Sequence, residues 1–328
     1  MRHRFATAAL VALLAAPAAP AAVAAPTYTT TYITSGDGTK LHAEVWRPAT
    51  TKRVPVVLLL SPYNNGISVT ENIRQPGELH YEPFEPLLRK GYAIVQASLR
   101  GYSASGGCGD WGGPGEQMDA KATVEWAASQ PWSTGKVGMY GISYDGWTQV
   151  MALAMQPKGL AAVVTQAPLA SGYQGLWMNG AHYHNGWWYT PLTGYTALDV
   201  KPANTGHGAE GQVNSLSGTA TNPHCYATNA TMTAIGDRSI PYWTERELVA
   251  RAAKSTVPVL YSQGFRDVQV KPDNFMALYP RLRGPKRAWV GHFTHRAPDH
   301  IDVAAVRARY FAEAIEWFDA YLRRDPAA

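Results

Sequence analysis

Short, nearly continuous apolar runs recur along the chain. Residues 54–60 (VPVVLLL), 92–97 (YAIVQA), 137–140, 161–165, 257–261 and 287–290 read as strands, most of them buried on both faces. Between them the pattern changes to a helical period. Phe84–Lys90 reads as a short helix ending at Gly91, with Pro86 tolerated because it falls in the first turn. Glu116–Ser129 places Met118, Ala122 and Trp126 on one stripe, and Trp147–Met155 carries Trp147, Val150, Met151, Leu153 and Ala154. Arg307–Leu322 reads as a last amphipathic helix. Near the start, residues 28–46 alternate apolar and polar around Gly36-Asp37-Gly38, the signature of an antiparallel hairpin. Strands alternating with helices predict an α/β fold built on a mostly parallel, doubly wound sheet.

Two stretches break this rhythm. The first is the N-terminus: basic Met1-Arg2-His3-Arg4, an apolar run from Ala8 to Ala18, then Ala22-Val23-Ala24 as a small-x-small cleavage signal. This predicts a secretory signal peptide over residues 1–25, an exported protein and a catalytic domain over 26–328. The second runs from about 171 to 238. It is rich in Trp, Tyr, Gly, Asn and Thr and has no clean period. An insertion after the strand at 161–165 falls beyond the carboxyl ends of the strands, where such sheets bind ligands, so it is expected to be a lid. Its rings Trp177, Trp187 and Trp188, with Trp147 from the helix below, are candidate pocket residues. Packing among themselves is the alternative for the lid rings.

Charge and cysteine content narrow the class. The formal charge is +5 for the 328 residues, and it becomes +3 once Arg2 and Arg4 are removed. No Lys/Arg cluster accompanies it, which argues against nucleic acid as a partner. After the leader no run is apolar for long enough to span a bilayer. The two cysteines, Cys108 and Cys225, are expected to form a disulfide in an exported protein. Neither has the neighbours a metal site needs, so no metal or other cofactor is expected.

The chemistry concentrates in Gly141-Ile142-Ser143-Tyr144-Asp145-Gly146, between a strand and a helix. Small residues on either side of a serine at a sharp strand–helix turn make a nucleophile elbow, with Ser143 at its tip and the Tyr144 N–H facing a developing oxyanion. A serine nucleophile needs a base, and the base an orienting carboxylate. Asp267 follows the strand at 257–261, with Asp273 as a competing carboxylate. His292 and His295 both follow the strand at 287–290. The order Ser, Asp, His is that of the α/β-hydrolase fold.

With these residues in place, the chain resembles the X-Pro dipeptidyl-peptidase and cocaine-esterase family of serine hydrolases, from about Tyr32 to Leu322. The resemblance rests on Ser61-Pro62-Tyr63-Asn64, Arg100-Gly101 with Ser105-Gly106-Gly107, and GEQMDAKATVEWAASQPW through GKVGMYGISYDG. Gly264-Phe265-Arg266-Asp267, Gly291-His292-Phe293-Thr294-His295 and Trp317-Phe318-Asp319 also match. It implies a triad of Ser143, Asp267 and His295, with the Tyr63 hydroxyl as second oxyanion donor beside the Tyr144 N–H. His292 stands where the family usually has Pro. The resemblance implies a peptidase releasing X-Pro dipeptides or an esterase, acting on a peptide or small-molecule substrate. A dipeptidyl-peptidase must also hold a free ammonium. Asp199, Glu210 and Glu245 are carboxylates in or near the lid, and no pattern selects among them. Family members commonly continue into a β-sandwich, whereas the match here is to the hydrolase domain. An inactive binding protein on the same fold is the competing class.

Overall fold

The computed structural model describes residues 25–63, 78–79, 81–178, 180–183, 223–295, 298, 301 and 303–323. The expected signal peptide and most of the expected lid, including Trp187, Trp188, Asp199 and Glu210, lie outside them. Ten strands are described: β1 (Thr27–Thr34), β2 (Lys40–Arg47), β3 (Val54–Ser61), β4 (Ala93–Ser98), β5 (Ser133–Ile142), β6 (Leu160–Gln166), β7 (Trp177–Met178), β8 (Ala181–His182), β9 (Val259–Gly264) and β10 (Lys286–Gly291). Eight of them form one sheet in the order β1-β2-β4-β3-β5-β6-β9-β10. β1 and β2 make the expected hairpin, and β2 joins β4 antiparallel. From β4 to β10 every neighbouring pair is parallel.

The central parallel strands β3 to β6 and β9 are largely apolar because both faces are covered, whereas the edge strand β10 is partly exposed. In β3, Val56, Leu58 and Leu60 enter one core, and Val57 and Leu59 enter the other. The first core packs under α2 (Pro114–Ser129) and α3 (Tyr144–Met155). The second packs under α1 (Phe84–Arg89) and, at the chain's far end, a helix from Ala304 to Phe318. That last helix ends four residues before the expected Leu322 and widens into a π-helical turn, Asp319–Arg323.

α2 corrects the expected stripe. Its deeply buried residues are Ala120, Thr123, Val124 and Ala127, together with Glu116, Gln117 and Asp119, while Met118, Ala122 and Trp126 are only half-buried. Polar groups occupy the inner face because they hold the loop before the helix. Arg100 forms a buried ion pair with Asp119 at 2.7 Å and a second, half-exposed one with Asp37 at 2.7 Å.

The segment after β6 contributes α4 (Gly172–Leu176), the β7–β8 ribbon, α5 (Pro223–Thr233), α6 (Pro241–Thr244) and α7 (Val249–Ala252). It folds back on the sheet's carboxyl end. The Tyr183 hydroxyl donates to the Val268 carbonyl at 3.2 Å, and Asn229 of α5 donates to the Gly109 carbonyl at 2.9 Å. A short helix α8 (Asp273–Leu278) connects β9 to β10, and α9 is the terminal helix Ala304–Phe318. Among the described residues no helix is long and apolar enough to cross a membrane.

Candidate active site

β5 runs up the centre of the sheet and ends at Ile142. The chain then turns through Ser143 at φ +63° and ψ −121° and enters α3 at once. A serine in that backbone region is strained, and the surroundings hold it there. The Ser143 N–H donates to the Gln166 carbonyl at 2.9 Å, and its carbonyl accepts from Trp147 N–H at 2.8 Å. The turn is tight because Gly146 sits against β6: a β-carbon there would lie 2.8 Å from the Gln166 carbonyl oxygen. Thr148 ties the same helix to β3 by donating to the Leu60 carbonyl at 3.0 Å. Ser143 is thereby placed, partly exposed, at the N-terminus of a buried helix. The Tyr144 N–H belongs to the first turn, where helix amides and the macrodipole favour negative charge.

The Tyr144 side chain points the other way. Its hydroxyl donates to buried Glu116 at 2.7 Å. The same carboxyl accepts the N–H groups of Asp110, Trp111 and Gly112 at 2.9–3.1 Å. Burial and the nearby Asp110 push the Glu116 carboxyl up to about 7, against the hydrogen bonds that lower it. Glu116 thus pins the glycine-rich loop to the helix of the nucleophile. Sequence reasoning quoted Glu116 within a matched block without assigning it this task.

The acid–base side is built from two loops laced together by backbone. Phe265 N–H donates to the Gly291 carbonyl at 2.8 Å, and Arg266 N–H to the Phe293 carbonyl at 3.1 Å. The second loop crosses directly over Gly264, where a β-carbon would lie 2.2 Å from the Phe293 oxygen. This crossing delivers His295 to Asp267, with Nδ1 to Oδ2 at 2.8 Å. Asp267 is buried, and its other oxygen accepts the N–H groups of Gln269 and Val270 at 2.8 and 2.9 Å. The ring therefore donates its Nδ1–H to a fixed carboxylate and presents Nε2 as the acceptor. Of the candidate residues, the structure pairs His295 with Asp267. His292 is exposed, and Asp273 opens α8 beside Asn274, with its carboxyl raised by burial.

Tyr63 lies two residues beyond β3, next to β5 in the sheet. It is half-buried, and its N–H donates to the Ser61 hydroxyl at 3.0 Å. Its place at the carboxyl end of the strand beside the elbow is the one the resemblance implies.

The pocket expectations need correcting. Trp147 has no exposed surface. Its ring packs on Trp111 and Tyr144 and fills the space over Gly112, where a β-carbon would lie 2.2 Å from it. It is a core residue because the buried face of α3 points into the first core. Trp177 stacks on Tyr173, meets His182 edge-on, and donates its indole N–H to the Thr233 carbonyl at 3.1 Å. It packs its own segment. Trp187 and Trp188 lie outside the described residues, as does the side chain of Cys225. Glu245 sits with its side chain 49 % exposed beside Arg246 at 3.6 Å.

Comparisons with known proteins identify the family and the fold. Residues 37–297 match the family model described as X-Pro dipeptidyl-peptidase (S15 family). A putative Xaa-Pro dipeptidyl-peptidase of Streptomyces avermitilis is 26% identical over 316 residues, covering 84% of this chain and 43% of the relative. The cocaine esterase of Rhodococcus is 32% identical over 141 residues, or 43% of this chain and 23% of that one. Among solved structures, a CocE/NonD family hydrolase from Staphylococcus aureus superposes with a TM-score of 0.70 at 19% identity, covering 92% of this chain and 51% of that one. An α-amino-acid ester hydrolase superposes with a TM-score of 0.65 at 22% identity, covering 96% and 58%. These two likenesses show the α/β-hydrolase fold. The chain spans about half the length of the curated relatives that match most of it. The family model covers most of the chain, elbow and acid–base loops included, and the chain belongs to the X-Pro dipeptidyl-peptidase (S15) family.

Proposed function

We propose that this chain is an exported serine hydrolase that cleaves peptide bonds in the manner of X-Pro dipeptidyl-peptidases, through an acyl-enzyme on Ser143. The observation that carries the reading is the 2.8 Å contact between Asp267 and His295 Nδ1, which leaves Nε2 as the base. His295 takes the Ser143 proton as Oγ attacks the scissile carbonyl. The oxyanion is held by the Tyr144 N–H and the Tyr63 hydroxyl. His295 then returns the proton to the leaving amine, and water repeats the sequence to release the acyl group. The segment between 171 and 238 acts as the lid over this site. Cys225 is carried on α5, which is docked on the loop bearing Cys108 through Asn229 and Gly109. A Cys108–Cys225 disulfide would tether the lid there.

An ester substrate is the second reading, favoured by the higher identity to the cocaine esterase over a shorter stretch. A panel of X-Pro-anilides and short acyl esters separates the two. Dipeptide release with kcat/KM well above that for any ester supports the peptidase. Ester turnover without anilide turnover replaces it with the esterase.

A further inference from the structure

One buried carboxyl beside the elbow has no part in the triad. Asp145 lies two residues after Ser143 in the first turn of α3 and is 1 % exposed. On one side, the Tyr81 hydroxyl donates to Asp145 Oδ2 at 2.7 Å, and the same Tyr81 oxygen accepts the N–H of Ile142 at 3.3 Å. Ile142 immediately precedes the nucleophile. On the other side, the buried Ser61 hydroxyl interacts with the Asp145 carboxyl, and the Ser61 oxygen accepts the N–H of Tyr63 at 3.0 Å. The two chains of contacts end on the backbone that carries the nucleophile and on the residue that carries the second oxyanion donor.

We infer that Asp145 is a positioning residue for the acyl-transfer reaction proposed above, holding the nucleophile elbow and the Tyr63 strand end in register through Tyr81 and Ser61. The inference rests on that reading of Ser143 and Tyr63. The direction of the hydrogen bonds carries the argument. An ionised Asp145 can only accept, so the Tyr81 hydroxyl points its proton at Oδ2, and the neighbouring Ser61 hydroxyl is drawn the same way toward the carboxyl, whose Oδ1 is buried without a hydrogen-bond partner. Their lone pairs are then turned toward the two backbone N–H groups. A protonated Asp145 can donate, and that orientation is lost.

The surroundings make this change accessible near neutral pH. Tyr81 faces the carboxyl from the segment before α1, Ser61 from the end of β3, and Gly141 of β5 leaves room for its β-carbon, where an added side chain would lie 2.5 Å away. Tyr140 of β5 packs edge-on against the Tyr81 ring. Among the described residues, burial, Tyr81 and Ser61 are what act on the group. Burial pushes its pKa up to about 7, and the two hydroxyls oppose the rise.

The test is the pH dependence of kcat/KM for p-nitrophenyl acetate, measured beside fluorophosphonate labelling of Ser143. A single general base gives an acid limb of slope one. With Asp145 also required in its ionised form, the wild-type slope approaches two below pH 7. Asp145→Asn should reduce the slope to one and lower kcat by about 10- to 100-fold, the usual cost of small misplacements. KM should hold within about twofold, because the substrate contacts are untouched. If Asp145→Asn does not fold, the Ser61→Ala/Tyr81→Phe double variant, which keeps the carboxyl, must show the same fall in kcat. A wild-type slope of one, or wild-type kcat in Asp145→Asn or in the double variant, overturns the inference. Wild-type protein that is neither labelled nor active overturns the serine-hydrolase reading, and this inference with it.

Discussion

The elbow and the loops of Asp267 and His295 are the two halves of the proposed site, and they are held by different means. Ser143 is fixed from below. Its strand is central in the sheet, its helix is buried along ten consecutive residues from Tyr144 to Leu153, and Gly146 lets that helix touch β6. Asp267 and His295 are fixed from the side, by backbone hydrogen bonds between two loops at the sheet's far edge and by a single crossing over Gly264. Ser143 is thus anchored on the hydrophobic core through its strand and helix, while His295 hangs on hydrogen-bonded backbone near the surface. Damage to the first half should cost stability together with activity, and damage to the second should cost activity first.

The largest effect should come from the second half. Asp267→Asn and His295→Ala are each expected to lower kcat by about 10⁴-fold with little change in thermal stability. His292→Ala should stay near the wild type. Steady-state kinetics beside a melting curve checks all three, and an inactive His292→Ala with an active His295→Ala would reverse the choice of base. Tyr63→Phe should follow, with kcat lower by about 10²–10³-fold and KM little changed, as for other single oxyanion donors. Unchanged turnover would remove Tyr63 from the oxyanion site.

Two glycines sharpen the comparison directly. Gly264→Ala forces the His295 loop away and should lower kcat/KM by about 10- to 100-fold while most of the melting temperature is kept. Gly146→Ala pushes α3 off β6 and should cost about 1–3 kcal/mol of stability. Equal losses of stability in the two variants would erase the distinction between the halves.

The most gradual effect is a slope with pH. Asp145 has its folded-state pKa raised by burial to about 7 from 3.8. The folded protein therefore binds the proton more tightly than the unfolded chain does. That contribution to stability is complete below about pH 4 and is lost as pH rises to about 7, and it amounts to roughly 4 kcal/mol at most. Asp145→Asn has no such loss, so its melting temperature should gain on the wild type between pH 5 and pH 8. Parallel curves would mean that Asp145 does not titrate in this window.

Much of this was legible in the sequence because the strands are buried on both faces. Runs such as VPVVLLL leave little choice of element, and the elbow, Asp267 and His295 each follow one of them. Where an inner face is polar, the pattern misled. The Met118-Ala122-Trp126 stripe was displaced because Glu116, Gln117 and Asp119 occupy the buried side of α2. Trp147 reads as a pocket residue but is core, since aromatic side chains are large and apolar in either place. Ser61, Tyr81 and Asp145 were invisible as a group because they come from separate elements, and only β3 lying beside β5 brings them together.

The central claim is that Ser143 is the nucleophile, and mass-spectrometric mapping of a fluorophosphonate adduct tests it most directly. The account predicts one adduct per chain, on the peptide containing Ser143, absent from Ser143→Ala and strongly slowed in His295→Ala. An adduct on another serine, or labelling that persists in Ser143→Ala, would contradict it.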